Sequence, residues 1–189
     1  MGVAGRLADR RAIFSRSLLR AAWGSKYGLA LFDPVDPNAG IFKRIREAVP
    51  KGLYNDIRAI SPMNSGEALN FFEGKIGARN VRIFDHLYTV STRRSTRRIY
   101  HGVVAVQLAV EAPTFEIRPH QWWDKVTAMF GNRDIQIGHR GLDDMLNVTG
   151  SDETFVRMLF DSQTEGIMCS LEDTRVVCLG PTLVVIRQE

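Results

Sequence analysis

Four histidines, His86, His101, His120 and His139, are the side chains of this 189-residue chain best suited to metal binding or to proton transfer near neutral pH. Asp85 adjoins His86, and Asp124 follows His120 by four positions, near enough to touch on one face of a helix. None of these spacings reproduces the short ligand pairs of a zinc site. A histidine in a first helical turn with a carboxylate nearby is the plainer reading of His120 and Asp124. No metal ligand or catalytic group is therefore assigned among the four. His86 and His101 fall on the two arms of an expected hairpin. With its turn near Arg94, His86 faces Gly102 and His101 points to the opposite side of the sheet.

The two cysteines raise a second question. If "GIMCSL" and "RVVCLG" are neighbouring strands joined by a loop at Asp173–Thr174, Cys169 and Cys178 stand opposite each other, within disulfide range. With no export signal, two buried free thiols are the expected state. No Cys-x-x-Cys, Gly-x-Ser-x-Gly, Gly-x-Gly-x-x-Gly or phosphate-binding Walker loop occurs. A non-enzymatic protein without a cofactor is expected.

Arginine is where the chain is unusual. Residues 1–32 contain Arg6, Arg10, Arg11, Arg16, Arg20 and Lys26 against Asp9 alone, six basic and one acidic, or +5. The whole chain carries +4, so the remainder is at −1 and the high pI belongs to the leading segment. Arginines interrupt the N-terminus throughout, which excludes the apolar core of a secretory signal. Its Arg-rich, acid-poor composition suits either a mitochondrial transit peptide or a basic docking arm. A second cluster, "TRRSTRR", holds Arg93, Arg94, Arg97 and Arg98, flanked by Tyr88 and Tyr100, a combination able to bind phosphates or single-stranded nucleic acid.

The elements that must carry these groups follow from periodicity. Between Arg6 and Trp23 good helix formers run without glycine or proline, and Leu7, Phe14, Leu18 and Ala21 form an apolar stripe. "DPVDPNAG" breaks the chain, a short helix is expected over 41–49, and "SPMNSG" is a loop. From residue 67 onward β-type runs dominate: "LNFFEGKI", "VRIFDHLYTV", "IYHGVVAVQLAV", "FEIR", "DIQI" and the three closing segments "GIMCSL", "RVVCLG" and "TLVVIR", read as a meander. Two helices interrupt them. One starts at Pro119 and buries Trp122, Val126, Met129 and Phe130, leaving Trp123 at the rim as a possible contact residue. The other is capped by Ser151 and buries Phe155, Val156, Leu159 and Phe160. The expected fold is α+β: a mainly antiparallel sheet of hairpins with two inserted helices packed on it, preceded by a basic helical arm. The expected divisions are an arm over 1–32, a linker with a short helix over 33–66, and a globular domain over 67–189. No apolar run reaches the roughly 18 residues of a membrane span.

The segments "FEIRP", "GNRDIQIG", "LDDMLNVTGSDETFVRMLF" and "GPTLVVI" give residues 67–189 a cadence that resembles a group of uncharacterised bacterial domains of unknown function, which commonly follow membrane-spanning helices. The resemblance implies a bacterial source and proximity to a membrane, and carries over no catalytic residue. This chain departs from that pattern in having a basic arm where those domains have membrane spans.

The expected function is that of an accessory or scaffold subunit docked through Arg6, Arg10, Arg11, Phe14, Arg16, Leu18, Arg20 and Trp23. Its partner is a larger protein assembly or an anionic membrane surface, and its location cytoplasmic, including the periphery of the membrane. Nucleic-acid binding through Arg93, Arg94, Arg97 and Arg98 together with the arm ranks below it. A ligand or enzyme pocket near His120, Trp123 and Asp124 ranks third.

Overall fold

The computed structural model describes residues 26, 30–31, 57, 59–60, 66–120, 134–170 and 173–188. Of the expected arm over 1–32 only Lys26 and Ala30–Leu31 are described, and of the expected linker over 33–66 only Ile57, Ala59, Ile60 and Gly66. The short helix expected over 41–49 and the segment with Trp122 and Trp123 lie outside the described residues. Among the described residues eight strands form one sheet: β1 (Ala30–Leu31), β2 (Glu67–Ile76), β3 (Arg79–Ser91), β4 (Thr96–Gln107), β5 (Phe115–Pro119), β6 (Leu146–Gly150), β7 (Thr174–Leu179) and β8 (Thr182–Gln188). Their spatial order is β1-β2-β3-β4-β8-β7-β5-β6, and every pairing is antiparallel. Three short helices accompany it among the described residues: α1 (Arg140–Asp143), α2 (Glu153–Leu159) and α3 (Ser162–Ser170). The antiparallel α+β architecture read from the sequence is the one observed.

Tight turns set the hairpins. Gly77, at φ +60, helps close the two-residue connection between the paired Ile76 and Arg79. Gly180, at φ +61, does the same before Pro181 between Leu179 and Thr182. In β2 the register slips by one residue between Leu69 and Phe72, a bulge that includes Asn70 at φ 52. Asparagine tolerates this left-handed conformation, and the Asn70 amide donates to Asp85 Oδ2 at 2.7 Å, satisfying a buried carboxylate. The extra residue lets consecutive side chains from Ala68 to Phe72 all be buried, with Phe71 stacked on Phe84 at 5.4 Å.

Both faces of the sheet are covered. On one, Phe71, Phe84, Val103, Val177, Val184 and Ile186 form a core that also takes in Ile57 and Ile60, both fully buried. The sheet and its core thus draw on the chain before residue 67, through β1 at the edge of β2 and through these isoleucines. On the other face Ile117, Val148 and Val176 pack with Leu142 of α1, Val156 of α2 and Met168 of α3. Each large apolar side chain so buried contributes about 1.5–3 kcal/mol.

Several local expectations need correction. In the segment "GIMCSL", residues 166–171, expected as the first strand of a closing meander, residues 166–170 belong instead to α3 (Ser162–Ser170). Asp161 begins it, its Oδ1 accepting from the Thr164 amide at 2.8 Å and from the Thr164 hydroxyl at 2.9 Å. That cap outweighs the β-type composition of a segment with no strand partner. Asp152, not Ser151, caps α2, accepting from the Phe155 amide at 2.9 Å; the Ser151 hydroxyl instead donates to Thr114 O. "DIQI" runs extended along β6 without being a ladder strand. The Ile135 amide donates to Val148 O, and Asp134 Oδ1 accepts from the Val148 amide at 2.8 Å. Pro119 ends β5 opposite Leu146 instead of opening a helix, because the next amide, His120 N, still reaches Met145 O. No helix among the described residues is long and apolar enough to cross a membrane.

Candidate functional site

Strands β3 and β4 pair without interruption from Val81↔Val106 to Ser91↔Thr96, but their neighbours stop short. Pairing with β2 ends at Leu87, and pairing with β8 begins at His101. Beyond those points the two strands continue as a ribbon, at about 3.3 Å per residue some 15 Å past the sheet. Residues 89–98 at its end are exposed. Residues 88–100 contain four arginines and no acidic residue.

Hydroxyl groups close the tip. The Thr92 amide donates to Ser95 O at 2.7 Å, and the Thr92 hydroxyl donates to the same oxygen at 3.0 Å. The Ser95 amide returns a bond to Thr92 Oγ1 at 3.1 Å, and the two hydroxyls lie 3.1 Å apart. Ser91 and Thr96 bring theirs to 3.4 Å. A turn tied in this way needs little further ordering when something binds it.

The register divides the arginines. Thr89↔Arg98 and Ser91↔Thr96 present their side chains on one face of the ribbon, whereas Val90↔Arg97 present theirs on the other. A cavity of about 600 Å³ opens on the first face, lined by Thr89, Thr92, Arg93, Arg94, Ser95, Thr96 and Arg98. Arg97 is absent from it. The four-arginine cluster of the sequence is thus three arginines in one concavity and a fourth behind them. The threonines and serines that shape the concavity were visible in "STRRSTRR" as an alternation of hydroxyl and guanidinium types, a signal the arginines overshadow. In so exposed a setting each contact with one anion contributes about 0–1 kcal/mol, so three arginines hold an isolated phosphate no better than about millimolar. A ligand with repeated charges gains more.

The flanking tyrosines do not serve the concavity. Tyr88 points to the other face, its ring 5.7 Å from His86 and 5.3 Å from His101. Tyr100, paired with Leu87, is on the arginine face two residues behind Arg98, where it is half-buried and does not line the cavity. The histidine pair is itself a correction. His86 pairs directly with His101, both at most 2 % exposed, on one face. The turn centres between Arg93 and Arg94 and not on Arg94, and in a strand a one-residue change of register moves a side chain to the other face.

The remaining sequence candidates separate. His120 is exposed, its Nε2 3.3 Å from Asp143 O, and the Asp143 carboxylate accepts from the amides of Ile137 and Gly138 at 2.8 and 3.1 Å. His139 precedes α1 and is exposed. Among the described residues no three His, Cys, Asp or Glu side chains converge as metal ligands. Trp123 and Asp124 lie outside the described residues, as do Arg6, Arg10, Arg11, Phe14, Arg16, Leu18, Arg20 and Trp23.

Sequence reading missed one constellation altogether. Arg175 of β7 and Glu116 of β5 meet inside the molecule, Nε to Oε1 at 2.9 Å, at 0 and 1 % exposure. Arg118 Nε stands 3.9 Å from the same carboxylate oxygen and donates to Asn147 Oδ1 at 3.1 Å. Burial pulls the Arg175 guanidinium below its usual range, and the Glu116 charge opposes that shift. Closed off from solvent, the pair has a structural role.

Cys169 sits exposed on α3 and Cys178 buried on β7, both as free thiols, so they are not opposed. Burial pushes the Cys178 thiol up from its usual value. A thiol reagent should modify Cys169 at once and Cys178 only on unfolding. The sign of the shift also sets an alkaline trend: the folded state holds the Cys178 proton above pH 9.0, where the unfolded chain releases it. Folding stability should therefore fall as pH rises above about 9, less steeply in Cys178→Ala, as followed by urea denaturation at several pH values. A slope unchanged by the substitution would assign that trend to other groups.

No family model, curated protein or solved structure matches the chain.

Proposed function

We propose that this protein is a non-enzymatic accessory domain that docks onto an anionic partner, with the β3–β4 hairpin as its docking element and the basic segment 1–32 as a second contact. One observation carries the reading: a ribbon projecting past its neighbouring strands, with four arginines, no acidic residue and a tip tied by its own hydroxyl groups. Residues 89–98 of the ribbon are all exposed, and no acidic residue stands among residues 88–100. The sheet behind it supplies rigidity, since a two-stranded ribbon alone is marginally stable in water. Attachment to a membrane surface, with the protein cytoplasmic, is a weaker form of the same reading. Val90 is the one apolar side chain among residues 89–98, and it points away from the arginine concavity, whereas interfacial anchoring draws on larger apolar and aromatic groups.

Retention on immobilised heparin, a sequence-free polyanion, tests the proposal. Replacing Arg93, Arg94, Arg97 and Arg98 by serine should shift elution to clearly lower salt while leaving the thermal unfolding midpoint unchanged. Elution of the substituted protein at the unaltered salt concentration would remove the hairpin from the docking surface.

A further inference from the structure

We infer that the concave face of the hairpin tip binds the phosphodiester backbone of nucleic acid and does so without reading the bases. The inference rests on the docking reading above and names its ligand. Every residue lining the cavity is an arginine, a threonine or a serine. Guanidinium groups present paired donors that match phosphate oxygens, and hydroxyls supply further donors of the same kind. No aromatic or aliphatic side chain lines the cavity, so a base inside it has nothing to stack on and an acyl chain nothing to enter. Tyr100, on the same face, is half-buried behind Arg98. The neighbouring Tyr88 ring is directed to the opposite face, against His86 and His101. At about 600 Å³ the space exceeds a single phosphate and admits a stretch of backbone. A two-stranded ribbon is also narrow enough to enter the major groove of a duplex. Backbone contacts of this kind position a protein and carry no sequence information.

Fluorescence anisotropy with two short labelled duplexes of unrelated sequence tests this on the full chain. The two should bind equally. Three phosphate contacts account for a slope of about 2.7 in log affinity against log salt, or about a 40-fold loss between roughly 50 and 200 mM salt. Arg93→Ala/Arg94→Ala/Arg98→Ala should remove that component, while Arg97→Ala, on the other face, should alter the slope by less than about 1. All four positions are exposed, and a thermal melt establishes that the variants remain folded. Three results would overturn the inference: an Arg97→Ala effect equal to that of the triple variant, a preference for one duplex sequence, or binding to phosphatidylserine vesicles that outcompetes the duplex. Retention on heparin without duplex binding would sink the inference alone, and failure on both would sink the docking reading with it.

Discussion

Glu116→Ala is expected to lower folding stability by about 3–5 kcal/mol, the cost of removing one partner of a buried ion pair and leaving the other behind. Arg175 is fully buried and its guanidinium meets Glu116 Oε1 at 2.9 Å. Burial already works against the charge on Arg175, and the Glu116 carboxylate offsets it. Removing that carboxylate takes away the charge that offsets the desolvation of the guanidinium. The second carboxylate oxygen, Glu116 Oε2, is buried and has no hydrogen-bond partner among the described residues. The pair is therefore incompletely satisfied, and its net contribution is much smaller than the cost of breaking it. Glu116→Leu combined with Arg175→Met should accordingly recover most of the loss. Urea denaturation of the two proteins checks both statements. An alanine variant within about 1 kcal/mol of the parent would show that Arg175 finds its charge balance elsewhere.

Gly66→Ala is expected to cost about 2–5 kcal/mol, combining backbone strain with overpacking. Gly66 has φ +103, a conformation that L side chains rarely adopt, and an added Cβ would fall on the Leu87 carbonyl oxygen. That oxygen belongs to β3 and cannot move without disturbing the ladder. His86 Nε2 and Tyr88 Cβ would each lie 3.0 Å from the same methyl, so the histidine–tyrosine group at the base of the ribbon would be disturbed too. Gly77→Ala is the comparison. It shares a positive φ of +60 but meets nothing within 4 Å, and should cost only about 1 kcal/mol. Thermal unfolding of the two variants side by side decides the matter: equal losses would mean that Gly66 is held by conformation alone.

Much of the body was legible in local pattern. "LNFFEGKI", "VRIFDHLYTV" and "FEIR" are rich in aromatic and β-branched residues, and "GARN" supplies the glycine that a tight turn requires, so β2, β3 and β5 follow from composition and spacing. The same holds for the α2 stripe, where Val156 is buried and Phe155, Leu159 and Phe160 pack against its cluster. The candidate site was half legible. Arginines in a hairpin connection announce an exposed cationic tip, but their division between two faces depends on where the turn centres, and a shift of one residue changes the answer. The error that separated His86 from His101 has the same cause.

Charge, strand-forming tendency and turn chemistry belong to short stretches of chain, and these the sequence determined by itself: an antiparallel α+β body, and a strongly basic tip on one hairpin. Register and burial belong to residues far apart, and only the tertiary structure decided them. Alternation within "FEIR" assigns Glu116 and Arg118 to a solvent-facing side. Yet Glu116 is 1 % exposed, because Arg175, 59 positions later, arrives beside it on β7. The physical reason is that an ionised side chain enters an interior only with its counter-charge already in place, and no local pattern can state where that counter-charge will come from.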